Sequence, residues 1–206
     1  MNTMSLPLSF GDFREKASLD EQIAFLDTLF EPTDSLIYFT LKNQLFQKRL
    51  ATQVHSYDGL IELIRKTMLD LNTAAEEEGI SSFKIDHLAN IIGAHPRLGE
   101  PPKQLSVHSL SEQKNLGAGS NSPDDMETMK MKNELMQLND QYEVAYPGLR
   151  FISFVNGRSR PEIMAEMRVR ISSGHTWFQE VAIGINAMCD IALDRLHKYT
   201  DYTQRL

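Results

Sequence analysis

Apolar side chains recur every three or four positions through most of the chain, the spacing that turns one helix face toward a core. Ser18-Leu19-Asp20-Glu21 has the spacing of a capping box, and Leu19, Ile23, Leu26 and Phe30 follow it, which predicts a helix over about 19–30. Pro32 interrupts the pattern; Thr33 or Asp34 can cap again, and Leu36, Phe39, Leu41 and Leu45 continue as a second, shorter helix. From Ser56 to Gly79, Leu60, Ile61, Ile64, Met68 and Leu71 form the cleanest stripe of the N-terminal half, with Glu62, Arg65 and Asp70 on the polar faces. A fourth helical segment runs from Ser82 through Leu88 and Ile91 to Gly93, and Pro96 forbids its continuation by removing a donor and clashing with the preceding turn.

Residues 94–108 hold three prolines and few core-like side chains, so they read as a loop leading to a helix that starts at Ser109. Gly, Ser, Asn and Pro crowd residues 117–125, a second loop within an insertion placed at about 117–128. Met131, Leu135, Leu138, Tyr142 and Ala145 restore the helical period from Met126, and Tyr146-Pro147-Gly148 stops it. Residues 151–155 form a short apolar run, the one place where an extended segment is expected. Ser159-Arg160-Pro161-Glu162 is another capping box with proline in its first turn, followed by Ile163, Met167 and Ile171. Phe178, Val181, Ile185, Met188, Ala192 and Leu196 then place a last helix at about 176–202. Seven or eight helices with almost no strand predict an all-α, multi-helix bundle.

A length of 206 residues fits a single domain over 1–206, and 41% hydrophobic with 24% charged residues is ordinary for a folded globular chain. Twenty-eight acidic against 21 basic residues give a net charge of −7, which opposes the counterion release that drives nucleic-acid binding. Cys189 is the only cysteine, so there is no disulfide framework and no Cys-rich zinc site, as suits a reducing compartment. No apolar run is long enough to span a bilayer, and residues 1–10 lack a basic segment followed by a long apolar stretch. The expectation is a cytoplasmic protein without nucleic-acid or membrane partners. A peroxisomal address is the alternative, because Gln204-Arg205-Leu206 shares its last two residue types with peroxisomal tripeptides but has Gln where a small residue is expected.

The candidate chemistry is narrowed by what is missing. None of the six histidines (His55, His87, His95, His108, His175, His197) stands in an H-E-x-x-H arrangement or four residues from another, so no metal site is expected. There is no G-x-S-x-G elbow, no Walker-type glycine loop and no dinucleotide fingerprint between a strand and a helix. Two motifs remain: Gly93-Ala94-His95-Pro96-Arg97-Leu98-Gly99, and Ser109-Leu110-Ser111-Glu112-Gln113. On the residues alone, His95 can be a packing or capping side chain at a helix end, and Ser109-x-x-Glu112 is itself a capping box.

Together, the His-Pro-x-Leu-Gly turn and the Ser-x-x-Glu-Gln helix start resemble the active-site signature of the 2-oxo-4-hydroxy-4-carboxy-5-ureidoimidazoline (OHCU) decarboxylases, uricolytic enzymes. Leu29-Phe30-Glu31-Pro32, Leu138-Asn139-Asp140-Gln141-Tyr142-Glu143 and Phe151-Ile152-Ser153-Phe154-Val155-Asn156-Gly157-Arg158-Ser159 resemble further segments of the family, particularly its fungal members. The likeness runs from about 18 to 198 and departs at the loop 120–130 and at Asn156.

The resemblance implies that His95 is the catalytic proton donor and that Pro96 fixes the turn presenting it, with Glu112 orienting the ring. Ser109, Leu110, Ser111 and Gln113 line the substrate beside Glu112. The main chain of Phe151, Ile152, Ser153, Phe154 and Val155 would bind its amide edges, and Arg195 its ureido or carboxylate group through a planar fork of donors. It further implies a homodimer, a small ureidoimidazoline substrate and (S)-allantoin as product. Pyridoxal phosphate or thiamine is not required, because the ring itself can delocalise the charge left by carbon dioxide. Two other readings stand beside this one. A binding module could use the Met-rich helices, though it has no need of a converging polar set. An enzyme of the same fold could act on a related hydantoin or ureido compound.

Overall fold

A computed structural model describes residues 9–99 and 126–203. The capping boxes read from the sequence at Ser18 and Ser159 close in it. The Ser18 hydroxyl accepts from Glu21 N–H at 3.3 Å while the Glu21 carboxylate accepts from Ser18 N–H at 2.7 Å. Glu162 likewise accepts from Ser159 N–H at 2.7 Å. These caps satisfy N–H groups that a helix start leaves without partners.

Among the described residues there are nine helices and no strand. They are α1 (Phe10–Glu15), α2 (Leu19–Leu29), α3 (Asp34–Phe39), α4 (Gln44–Gln53), α5 (Tyr57–Glu78), α6 (Lys84–Gly93), α7 (Met126–Ala145), α8 (Arg160–Ser172) and α9 (Trp177–Thr203). The chain is all-α, as its periodicity predicts.

The structure departs from the pattern in two places. Helix α1, capped by Ser9, was not predicted, and it puts Phe13 into the core at 1% exposure. The second helix read from the sequence is two, α3 and α4, because polar side chains compete for the backbone between them. Thr40 Oγ1 donates to Leu36 O at 2.6 Å, and Asn43 Oδ1 accepts from the N–H groups of Leu45 and Phe46, both at 3.0 Å. Helix α7 begins at Met126, as the restored period predicts, so it takes in the end of the loop insertion placed at about 117–128. The rest of that loop, and the helix expected from Ser109, lie outside the described residues.

The core is organised on α5 and α9, which pack along each other. Helix α5 buries Leu60, Ile61, Ile64 and Met68, and α9 buries Val181, Ile185, Met188, Cys189 and Ala192. Each large apolar side chain removed from water in this way contributes about 1.5–3 kcal/mol. Asn72 donates to Phe178 O at 3.0 Å, and Arg65 donates to Asp190 at 2.8 Å, fixing the register of the pair. Burial pushes the Cys189 thiol up to about 12, the Arg65 guanidinium opposing it. Gly184 of α9 lets two other elements close on this helix: a Cβ there would lie 3.1 Å from Ile92 of α6 and 3.8 Å from Ile152. The end of α6 and residues 151–155 are thus drawn to the same stretch of α9. No helix among the described residues is long and apolar enough to cross a membrane.

Candidate active site

Helix α6 ends where the His95 turn begins, with His95 N–H donating to Ile92 O at 3.3 Å and the proline ring of Pro96 next in line. His95 is buried, at 7% exposure, and its Nε2 has no hydrogen-bond partner among the described residues. A buried ring nitrogen without a partner is costly, and such an atom in a native fold points to a role beyond packing. Burial holds the imidazole down to about 4; the Glu31 carboxylate opposes that depression and the Arg195 guanidinium adds to it. His95 is therefore neutral in the ligand-free site at pH 7.

The same two charges are bonded to each other. Arg195 of α9, 5% exposed, donates through Nη2 to Glu31 Oε1 at 3.2 Å and through Nη1 to Leu29 O at 3.0 Å. Glu31 follows α2 and is 9% exposed. Arg195 is thus no surface charge. The fold brings His95 and Arg195, a hundred residues apart, into one buried electrostatic group through a carboxylate to which the sequence motifs assign no chemistry.

The turn after His95 is pinned from α7. Arg97 forks onto Glu143 at 2.7 and 2.6 Å, and Arg150 pairs with the same carboxylate. Asn139 Nδ2 donates to Leu98 O at 3.1 Å and to Leu135 O at 3.0 Å. Gly99 has φ +81 and lies so close to Leu135 that a Cβ would come within 2.6 Å of its Cδ2. The Leu-Asn-x-x-Tyr segment thereby supports the His-Pro-x-Leu-Gly turn.

Residues 151–155 are non-helical and pair with no strand. Phe151, Ile152 and Ser153 are buried, and Phe154 and Val155 half-buried. Arg170 of α8 donates through Nη1 to Ile152 O at 2.8 Å and lies over the Phe151 ring, 4.5 Å from its centroid. Arg170 is held in turn by Glu180 of α9, at 3.0 Å from Nε and 2.6 Å from Nη2. Tyr142 OH donates to Glu180 at 2.6 Å. Burial would raise the Glu180 carboxyl, but hydrogen bonds from Arg170, Tyr142 and His175 outweigh it and hold the group below the usual carboxylate range.

No hydrogen bond among the described residues joins 151–155 to His95; the two regions share α9 as their common wall. Pro96 is half-buried beside His95. Ser109, Leu110, Ser111, Glu112 and Gln113 lie outside the described residues. Sequence reasoning gave no role to Glu31, Arg170 or Glu180. Glu31 stood in a motif already noticed, whereas Arg170 and Glu180 sit on separate helices with no local pattern connecting them. A hollow of about 630 Å³ opens between the α2–α3 turn and α6, lined among others by Thr33, Asp34 and Asn90. Its lining also includes Pro32 and Ala94, the chain neighbours of Glu31 and His95, though not His95 or Arg195 themselves.

Comparison with known proteins bears on this arrangement directly, since residues 15–197 match the OHCU decarboxylase family. The chain belongs to the OHCU decarboxylase family. Its match takes in the His95 turn, the Glu31 turn, Arg195 and the segment 151–155. A solved structure titled (S)-allantoin synthase is similar in fold, with a TM-score of 0.54 and 18% identity. That alignment covers 93% of this chain and 54% of the solved one, so the chain spans about half the length of that protein. No match was found among curated proteins.

Proposed function

We propose that the chain is a cofactor-independent carboxy-lyase that converts 2-oxo-4-hydroxy-4-carboxy-5-ureidoimidazoline to (S)-allantoin and carbon dioxide, with His95 as proton donor. Family membership supports the reaction class. The observation that carries the assignment of His95 is its buried Nε2, without a partner among the described residues, beside the Arg195–Glu31 pair.

The substrate's carboxylate leaves from the ring carbon that also bears the hydroxyl. The electron pair of the broken C–C bond enters the adjacent ring C=N, giving an enol. Protonation of the carbon that carries the ureido group, with the hydroxyl proton passing to the ring nitrogen that received the electron pair, then yields the ring carbonyl, the ring N–H and the stereocentre. A neutral imidazole is a weak acid, but a bound carboxylate next to it favours the charged ring. His95 therefore takes up a proton as the anionic substrate enters and returns it to carbon after carbon dioxide has left. Glu112 orients the ring nitrogens and hydroxyl. Ser109, Leu110, Ser111, Gln113 and Pro96 line the ring, and Arg195 and the main chain of 151–155 hold the polar edges. Burial keeps bulk water from delivering the proton to the wrong face. The active form is a homodimer in the cytoplasm, with a peroxisomal location as the alternative.

The test is to supply urate with urate oxidase, hydroxyisourate hydrolase and this protein, and to follow allantoin by circular dichroism. Rapid formation of one enantiomer, abolished in a folded His95→Ala variant, is expected. A wild-type trace that matches the slow racemic background overturns the assignment.

A further inference from the structure

Residues 151–154 are each held from one side. Arg170 covers the Phe151 ring and takes the Ile152 carbonyl. Arg158 Nη2 donates both to Ser153 Oγ and to Phe154 O, and Ser153 Oγ donates to Glu166 at 2.8 Å. Glu166 also accepts from Arg158 Nη1 at 2.7 Å and pairs with Arg170 at 3.5 Å, so one carboxylate spaces the two guanidiniums. Arg170 cannot swing away, because Glu180 and Tyr142, both almost fully buried, hold its remaining nitrogens.

The carbonyls closed in this way, Ile152 and Phe154, are two residues apart. Along an extended chain the N–H and C=O of one residue face the same edge, and successive residues alternate. With this non-helical segment taken as extended, as its apolar run predicts, the opposite edge carries the N–H and C=O of Ser153 and the N–H of Val155. None of the N–H groups from 151 to 155, nor the Ser153 carbonyl, finds a hydrogen-bond partner among the described residues. Ser153 is 7% exposed. A buried peptide edge without partners is rare in native folds. A donor and an acceptor side by side are complementary to an amide or ureido group, which offers one of each.

We propose that Arg158 and Arg170 are positioning residues: resting on the decarboxylase reading, they close one edge of residues 151–154 so that the Ser153 peptide edge stays open to the ureido or ring-amide group of the substrate. The arginines do not touch the substrate. They act by fixing which way the segment faces, where a displacement of about 1 Å can cost up to about a hundredfold in rate.

Arg158 is the better place to test this, because its side chain is 38% exposed and its loss leaves the Arg170–Glu180 pair intact. Arg158→Ala and Arg158→Lys are compared with wild type in the full chain. Backbone amide exchange of peptides covering 151–155 is read together with kcat and KM in the coupled allantoin assay, and far-UV circular dichroism monitors the fold. In Arg158→Ala, amide exchange of this segment is expected to speed up about tenfold, and kcat/KM to fall about tenfold through KM, as for a binding edge used equally in ground and transition states. Lysine, which keeps one donor but not the fork, restores part of both. Unchanged exchange, or faster exchange with kcat/KM within about twofold of wild type, overturns the proposal. The two failures are distinguishable. An inactive wild type whose segment still loosens in Arg158→Ala refutes the substrate assignment, whereas an active wild type matched by Arg158→Ala refutes the positioning role.

Discussion

Glu31 and Arg195 stand 164 positions apart in the chain and meet in the interior, Arg195 Nη2 donating to Glu31 Oε1 at 3.2 Å. The pair ties the end of α2 to the last third of α9 and sets opposite charges near one neutral imidazole. Their influences on His95 oppose each other, and burial leaves the ring neutral.

Glu31→Gln removes the buried carboxylate to which Arg195 Nη2 donates at 3.2 Å. Breaking one partner of a buried pair costs about 3–5 kcal/mol. Urea unfolding at neutral pH is expected to show a loss of this size. A change below about 1 kcal/mol would place the pair among weak surface ion pairs.

His95→Asn preserves a polar side chain of similar reach but removes the titrating group. Loss of a positioned acid or base commonly costs about 10²–10⁴ in rate. A fall of at least about 10² in kcat for allantoin formation is expected, with an unaltered far-UV spectrum. Retention of more than a tenth of the wild-type rate would remove His95 from the proton-transfer step.

The pH dependence of stability follows from the same imidazole. Held at about 4 in the folded protein against 6.5 ordinarily, it binds its proton more readily in the unfolded chain between these values. The stability contributed by keeping His95 neutral is fully present above pH 6.5 and is lost as pH falls toward 4, a change of about 3 kcal/mol at 1.36 kcal/mol per unit. Denaturant midpoints taken across that window should fall less steeply in His95→Gln than in wild type. Parallel slopes would contradict the buried, neutral state.

Gly99→Ala tests the turn that follows His95. At φ +81 an L side chain is strained, and its Cβ would sit 2.6 Å from Leu135 Cδ2. A loss of about 1–3 kcal/mol is expected in thermal or denaturant unfolding. An unchanged midpoint would mean that the turn can relax.

Much of the helical framework was legible because its signals are local. Ser18-x-x-Glu21 and Ser159-x-x-Glu162 announce helix starts within four residues, and Ser56 and Gly79 bracket α5 as its apolar stripe predicts. The break between α3 and α4 was not, since it depends on Thr40 and Asn43 side chains winning backbone partners over a continued helix. For the site, His95 was legible from its turn, while the burial of Arg195 was not: a charged residue at helical spacing reads as solvent-facing until its partner is known. That partner, Glu31, and the Arg170–Glu180 pair are tertiary contacts, invisible to any periodicity. Family resemblance supplied what spacing could not for Arg195, and it supplied nothing for Arg170.

The buried cysteine has a practical meaning. A thiol held near 12 and shut off from solvent in the α5–α9 packing carries almost no thiolate at neutral pH, and thiolate is the form that peroxides and alkylating agents attack. The thiol of the folded protein should therefore stay unmodified in a mildly oxidising solution, and a cysteine introduced at an exposed position would be the one site on the molecule that a thiol-directed dye can mark.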